Sequence, residues 1–333
     1  MSFSIIRDSQ ALNEEFKSRP TIFMFSGQGS QFYQMGRGLY ENNATFRYWL
    51  QTLDRLFSQE AGYSILEYLY DDKKPRSEPF EQISLTHPAI FMVELALANT
   101  LIDEGIKPDG VMGASLGELC AAVVSGIVSA YDAIKIVIKQ AAIFDRLDKG
   151  AMLAVLHDLE LYYLTPAINQ ICDIAAVNSQ KNFVIAGSRE NIADVTELLK
   201  AQGVVYQYLP VKQAFHSSCI DHIKQRFNEE MSGFSTLPTQ LPFYSCLSAG
   251  EVTHIDTSYF FNVIREPIKV SETIRYMEAR GPFNYVDLGP SGTLANSVKY
   301  NISQDRHSKQ LSVMSPFGDD TTRLNNVLST LKI

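Results

Sequence analysis

Gly113-Ala-Ser-Leu-Gly117 is a G-x-S-x-G pentapeptide between a short apolar run, Pro108–Met112, and a long apolar stretch that starts at Glu118. A strand entering and a helix leaving make such a pentapeptide a nucleophile elbow. Its glycines permit the sharp turn that lifts a serine hydroxyl above the carboxyl end of a sheet. The helix start adds free N–H groups and a positive dipole end for a developing oxyanion. The same residues also read as a Gly-rich turn whose serine merely caps the helix. A nucleophilic Ser115 needs a base, and the chain offers six histidines: His87, His157, His216, His222, His254 and His307. His216 is distinguished by its setting in Pro210-Val-Lys-Gln-Ala-Phe-His-Ser-Ser218, just after a predicted strand, where the chain re-enters the cleft. Serine paired with histidine is the chemistry of covalent acyl transfer.

A second Gly-rich turn, Gly27-Gln-Gly-Ser-Gln31, follows another apolar run. It lacks the third glycine of G-x-G-x-x-G, because position 32 is Phe32, and it lacks the G-K-[ST] of a phosphate loop. A nucleotide site is not expected there. Its backbone N–H groups can instead complete an oxyanion hole. The four cysteines, Cys120, Cys172, Cys219 and Cys246, lie far apart with no C-x-x-C pair. Neither a metal site nor a disulfide framework is expected, and no cofactor.

The elements that must hold these groups alternate between strand and helix. Thr21–Ser26 reads as a buried strand, and a helical stretch follows the second glycine turn to about Leu56. Thr86–Ala98 reads as a helix with Pro88 in its first turn, where a missing N–H costs little. Pro108–Met112 is the strand before the elbow. Strand, tight turn and helix in repetition signal an α/β domain with a parallel sheet. Near Gly150 the texture changes. Ala151–Leu156, Ile174–Val177, Phe183–Ala186 and Val204–Leu209 read as short strands, with helices over Asp158–Gln170 and Arg189–Gln202. That βαββαβ order predicts a ferredoxin-like subdomain inserted in the larger domain. The α/β pattern resumes after His216, with Tyr285–Leu288 a last buried strand before Gly289-Pro-Ser-Gly292. The expected organisation is a hydrolase-like domain over 20–149 and 213–318, a subdomain over 150–212, and a helical tail over 319–333.

Bulk properties fit that frame. Of 333 residues, 45% are hydrophobic and 20% charged, enough apolar material for a large core. The net charge of -8 argues against sequence-independent phosphate binding, which needs a basic stripe, and no nucleic-acid partner is expected. Met1–Arg19 mixes charges with short apolar pieces and is unlike a signal peptide. No apolar run approaches the roughly 20 residues of a membrane span. A cytoplasmic protein is expected.

Four motifs in order, Phe23-Met-Phe-Ser-Gly-Gln-Gly-Ser-Gln31, Gly113-Ala-Ser-Leu-Gly-Glu118, Gln213-Ala-Phe-His216 and Asp287-Leu-Gly-Pro-Ser-Gly292, resemble the malonyl-CoA:acyl-carrier-protein transacylase type of acyltransferase. The resemblance covers about residues 20 to 318. It implies a hydrolase-like α/β domain carrying a ferredoxin-like subdomain. It places Ser115 as nucleophile, His216 as base, and the backbone N–H groups of Gln28 and Leu116 as the oxyanion hole. It also implies a backbone carbonyl near Val263 to orient His216, where the family usually has asparagine or glutamine. An acyl carrier protein bearing a phosphopantetheine thioester is the implied partner, met by a monomer.

Two departures bear on substrate. The family usually has histidine before the nucleophile, and this chain has Ala114. Transferases of malonyl units carry an arginine on the helix after the elbow, and Ile134-Lys-Ile-Val-Ile-Lys-Gln140 places Gln140 there. Losing a charge-assisted bond to a carboxylate costs roughly 1.5–3 kcal/mol. Lys139 is adjacent, but one residue along a helix turns about 100°. The pattern is therefore similar to the free-standing acyl hydrolases of trans-acyltransferase polyketide pathways, which clear acyl groups from carriers. His87 stands where many relatives have glutamine, as a wall or cap residue of the pocket. Phe215 belongs to the Ala-Phe-His-Ser-Ser run of those hydrolases and is assigned to the substrate pocket.

Three other readings remain open on the sequence. A transferase for a neutral acyl group would use the same residues with a thiol as acceptor. An ordinary α/β-hydrolase esterase would need an acid such as Asp173 or Asp194 and would leave Gly27–Gln31 idle. A non-catalytic carrier-binding protein would have no need of both Ser115 and His216.

Overall fold

The computed structural model describes residues 19–303 and 307–332. The reading of the segment before Arg19 lies outside them. Among the described residues, ten strands form two sheets. The larger has five parallel strands, in the order β10 (Lys309–Ser312), β9 (Asn284–Asp287), β1 (Thr21–Phe25), β2 (Gly110–Gly113) and β7 (Phe243–Ser245), and ends on antiparallel β8 (Gly250–Val252). Every residue of β1, β2 and β9 is buried. That is the pattern of parallel strands covered by helices on both faces. Strands β1 and β2 run in register through Phe25 and Gly113, so the Gly27–Gln31 turn and the elbow emerge side by side.

The smaller sheet is antiparallel, with β3 (Gly150–Leu156), β4 (Asp173–Ser179), β5 (Asn182–Ser188) and β6 (Val205–Tyr208) in spatial order β4-β5-β3-β6. This is the ferredoxin-like arrangement. Side chains alternate across the pleat. Leu153, Val155, Phe183 and Ile185 pack with Ile192, Val195 and Leu199 of the Arg189–Ala201 helix, while Met152, Ala154 and Val184 face the cleft. Strand β4 is tied to Ile268, which lies outside both sheets, by a parallel bridge, in which Val177 N–H donates to the Ile268 carbonyl and Ile268 N–H to that of Ala175, both at 2.9 Å.

Two segments differ from the sequence expectation, the second on two counts. The segment expected to be one helix over Asp158–Gln170 is two short helices, Glu160–Leu164 and Pro166–Asn169. Pro166 pushes Thr165 to an extended conformation, and a new helix starts from it. The helix expected to begin at Thr86 begins at Ile83, so Pro88 sits inside it. Proline there cannot donate to the Ser84 carbonyl. The Tyr63 hydroxyl donates to that carbonyl instead, at 3.1 Å. The same helix, Ile83–Asp103, corrects a further expectation, for its 21 residues are apolar enough to cross a bilayer. With 89% of its most apolar window buried, it is the core helix of this fold.

Candidate active site

The elbow is built by close approach. A Cβ on Gly117 would lie 2.1 Å from the Phe25 carbonyl oxygen, so only glycine lets the helix start press onto β1. Ser115, between β2 and the Gly117–Val124 helix, is held at φ 55°, a left-handed conformation that costs a serine energy. Glu118 N–H ties back to the Ser115 carbonyl at 2.9 Å. His216 is left-handed too, at φ 57°, and only 2% exposed. Its Nε2 stands 2.9 Å from Ser115 Oγ.

The imidazole is oriented from the far side. Nδ1 lies 2.8 Å from the Glu266 carbonyl, and the His216 N–H donates to the Ile264 carbonyl at 2.8 Å. This corrects the expected Val263. The Thr257–Arg265 helix ends at Glu266, which is extended (φ -81°, ψ 157°) and turns its carbonyl out of the helix. Pro267 enforces that conformation on the residue before it, which is the signal the sequence carried for this role. A carbonyl only accepts, so Nδ1 holds the proton and Nε2 is left as acceptor. Burial pushes the imidazole down to about 4, against the smaller upward pull of the Glu266 carbonyl. His216 is therefore neutral at pH 7 and able to take a proton.

Opposite Ser115 lies the Gly27–Gln31 turn. Among the described residues, neither the Gln28 nor the Leu116 N–H has a partner. Glu94, from the core helix, accepts from Ser26 N–H at 2.8 Å and Ser26 Oγ at 2.7 Å. Burial raises the Glu94 carboxyl to about 8, despite the opposing Ser26 bonds. Gln31 accepts from Gly29 N–H at 2.7 Å and donates to the Phe80 carbonyl at 3.0 Å and that of Pro210 at 3.2 Å. The turn is thus pinned to the core and to the strand return of the subdomain. Sequence reasoning singled out neither Glu94 nor Gln31. Gln31 closes a quoted motif, whereas a lone acid within an apolar helix was the only sign of Glu94.

The two sheets enclose a cleft of about 410 Å³, with Ser115, His216, Gln28 and Ala114 on its floor. Met152, Ala154, Val184, Leu209 and Phe215 form an apolar wall, and Asn178, Asn182, Gln207 and Asn296 also line it. No Lys, Arg, Asp or Glu is among its described lining residues. Ala114 and Phe215 reach the cleft as expected of pocket residues, but His87 and Gln140 do not. His87 packs its ring against Phe144 at 5.6 Å and Phe215 at 6.1 Å, and burial pushes it down to about 3. Gln140 is buried one turn before Phe144, and its side chain has no hydrogen bond among the described residues. Of the rings packed here, only that of Phe215 lines the cleft. Lys139 is directed elsewhere, donating to the Glu230 carbonyl at 2.8 Å. Asp173 accepts from Ser218 N–H and Oγ and does not bond His216, so an esterase triad through it is not formed.

Residues 22–331 match the acyl transferase domain family. The chain is 38% identical over 311 residues to the polyketide biosynthesis acyltransferase homolog BaeD of Bacillus velezensis, covering 93% of this chain and 96% of that one. It is 39% identical over the same length to the homolog PksD of Bacillus subtilis, with the same coverage. Among solved structures, it is similar to the acyltransferase domain of the second salinomycin polyketide synthase module (TM-score 0.84, 27% identity, 94% of this chain and 73% of that one). It is also similar to the MCAT of Streptococcus pneumoniae (TM-score 0.78, 27% identity, 93% and 100%).

Proposed function

Since the chain belongs to the acyl transferase domain family, we propose that it clears neutral acyl groups from acyl carrier proteins in polyketide biosynthesis, by hydrolysis through an acyl-Ser115 intermediate. The observation that carries the substrate half of this reading is the uncharged cleft. A malonyl carboxylate taken into it would lose its water with no cation to pair it, a cost of several kcal/mol. An acetyl or longer alkyl thioester carries no such penalty. Similarity along almost the whole length of BaeD and PksD supports the polyketide setting.

In this reaction Ser115 Oγ attacks the thioester carbonyl carbon as His216 Nε2 takes its proton. The carbonyl oxygen becomes an oxyanion between the N–H groups of Gln28 and Leu116. The C–S bond breaks, and His216 returns the proton to the departing carrier thiol. Water then enters, gives a proton to His216 and attacks the acyl carbon. Ser115 regains its proton as the acid leaves. A thiol in place of that water would make the protein a transferase for the same acyl groups. Acetyl-loaded and malonyl-loaded carrier, each with and without a second carrier thiol, separate the two. Free acid from acetyl carrier without any acceptor is the expected result. Acyl groups handed to the second carrier with no free acid would overturn the hydrolytic reading, and a malonyl preference would overturn the neutral one. Ser115→Ala should abolish both turnover and acylation, and His216→Ala should cut the rate by several orders of magnitude.

A further inference from the structure

Nucleophile and base come from opposite sides of the cleft floor, and the 2.9 Å between them is reproduced only if their supports are tied together. Glu118, three residues after Ser115, is 1% exposed, and its N–H holds the Ser115 carbonyl. Its carboxylate does not reach the cleft. Oε1 accepts from Ser245 Oγ at 2.9 Å and Leu247 N–H at 3.1 Å, at the end of β7, which pairs with β2 beside the elbow. Oε2 accepts from the Tyr259 hydroxyl at 2.7 Å, and that hydroxyl is also 2.7 Å from Ser245 Oγ. Tyr259 lies in the first turn of the Thr257–Arg265 helix, fixed there by the Asp256 cap on its N–H. The other end of this helix supplies the Ile264 and Glu266 carbonyls that grip His216.

We propose that Glu118 and Tyr259 are positioning residues that lock the nucleophile elbow to the helix orienting His216, and so set the Ser115–His216 geometry. This rests on the reading of Ser115 and His216 as the reacting pair. The contacts close a ring from Ser115 through Glu118, Tyr259, the helix and Glu266 to His216 and back. A rigid helix passes on a displacement at one end to the other, and such second contacts keep a reacting pair within a few tenths of an ångström of its working geometry. Burial raises the Glu118 carboxyl to about 7, with the Tyr259, Ser245 and Leu247 bonds pulling the other way. A costly buried acid is thus retained where an apolar residue would pack without charge, which suits a role in geometry more than one in stability.

The test is Tyr259→Phe, which removes one hydroxyl and keeps the ring, beside Glu118→Gln, which keeps the shape but leaves one acceptor oxygen where the carboxylate has two. Tyr285→Phe is the matched control. It loses a buried tyrosine–carboxylate bond of 2.8 Å to Glu278, remote from the cleft. On acetyl-loaded carrier, Tyr259→Phe should lower kcat tenfold or more with KM within twofold, and slow Ser115 labelling by a fluorophosphonate in proportion. Glu118→Gln should fall less, and the double variant should lose no more than Tyr259→Phe alone. Tyr285→Phe should keep wild-type kcat at a similar loss in melting temperature. Wild-type kcat in both Tyr259→Phe and Glu118→Gln, or equal losses in Tyr285→Phe, would overturn the pair while leaving the active-site reading intact. Turnover surviving in Ser115→Ala would instead overturn that reading, and the pair with it.

Discussion

Replacing Gly27 with alanine tests the oxyanion hole with Ser115 and His216 themselves left unsubstituted. A Cβ at this position would sit 2.7 Å from Ser115 Cβ, 3.0 Å from the Ala114 carbonyl oxygen and 3.2 Å from Ser115 Oγ. Ordinary carbon–carbon contact needs about 3.5–4 Å, so the turn and the elbow must part by about 1 Å. Neither side yields easily, because Ser26 is held by Glu94 and Ser115 by Glu118. The Gln28 N–H, one residue on, then retreats from the place where the oxyanion forms. Losing one such donor costs about 10²–10³ in kcat, or roughly 3 kcal/mol. Overpacking costs a further 1–3 kcal/mol of stability, roughly, which leaves a protein of this size folded. Gly38 is the control, with nothing within 4 Å of its would-be Cβ and a place in the Arg37–Asn42 helix, where alanine is favoured. The assay is kcat and KM on acetyl-loaded carrier, with melting temperatures for both variants. Gly38→Ala should match wild type in rate. Gly27→Ala within threefold of wild-type kcat would refute the assignment of the Gln28 N–H to the oxyanion.

Three further outcomes follow from the buried groups. With His216 held down to about 4, the acid limb of the kcat/KM profile should fall between about pH 4 and 5, and a limb at 6.5 or above would show an unperturbed base. Glu94, raised from 4.5 to about 8, binds a proton in the folded chain that the unfolded chain has released. Its contribution to stability is therefore full below about pH 4.5 and is lost as pH rises through about 8, on the order of a few kcal/mol. Glu94→Gln should flatten that fall in urea unfolding at pH 5 and 8, and an unchanged slope would locate the proton elsewhere. Gln140→Arg should raise the malonyl-to-acetyl ratio of kcat/KM by at most roughly 2–3 kcal/mol, since position 140 is buried outside the cleft lining. An unchanged ratio would show that an arginine there does not reach a carboxylate.

What could be read in the chain beforehand divides by the range of the interactions. The two glycine turns and the strands before them are local, for apolar runs ended by Gly-x-Ser and Gly-Gln-Gly already specify strand and turn, and β1 and β2 lie where those runs stand. The βαββαβ alternation was readable for the same reason, because each of its strands contains a short, mainly apolar run of its own. Short strands without a pattern were not readable. β7 has three residues, β8 is half exposed and β10 is Lys-Gln-Leu-Ser, and each is a strand only because a neighbour's edge is there to pair with it.

The partners of the site were least readable because they meet across long separations. His216 finds Glu266 fifty residues away, and Glu118 finds Tyr259 across 141. The miss at Val263 shows the scale of the problem. Three residues separate a carbonyl turned along a helix from one that Pro267 forces out of it, and only the second faces an imidazole. Gln140 teaches the converse. Its place in the motif order points to a substrate contact, but Gln140 is buried outside the cleft lining, whereas Phe215, packed on Phe144 at 4.9 Å, is part of it. Of Phe215 and Gln140, only Phe215 lines the cleft. A smaller residue at Phe215 should thus alter acyl preference more than any change at Gln140, and the paired acetyl and malonyl rates of Phe215→Ala and Gln140→Arg would rank the two.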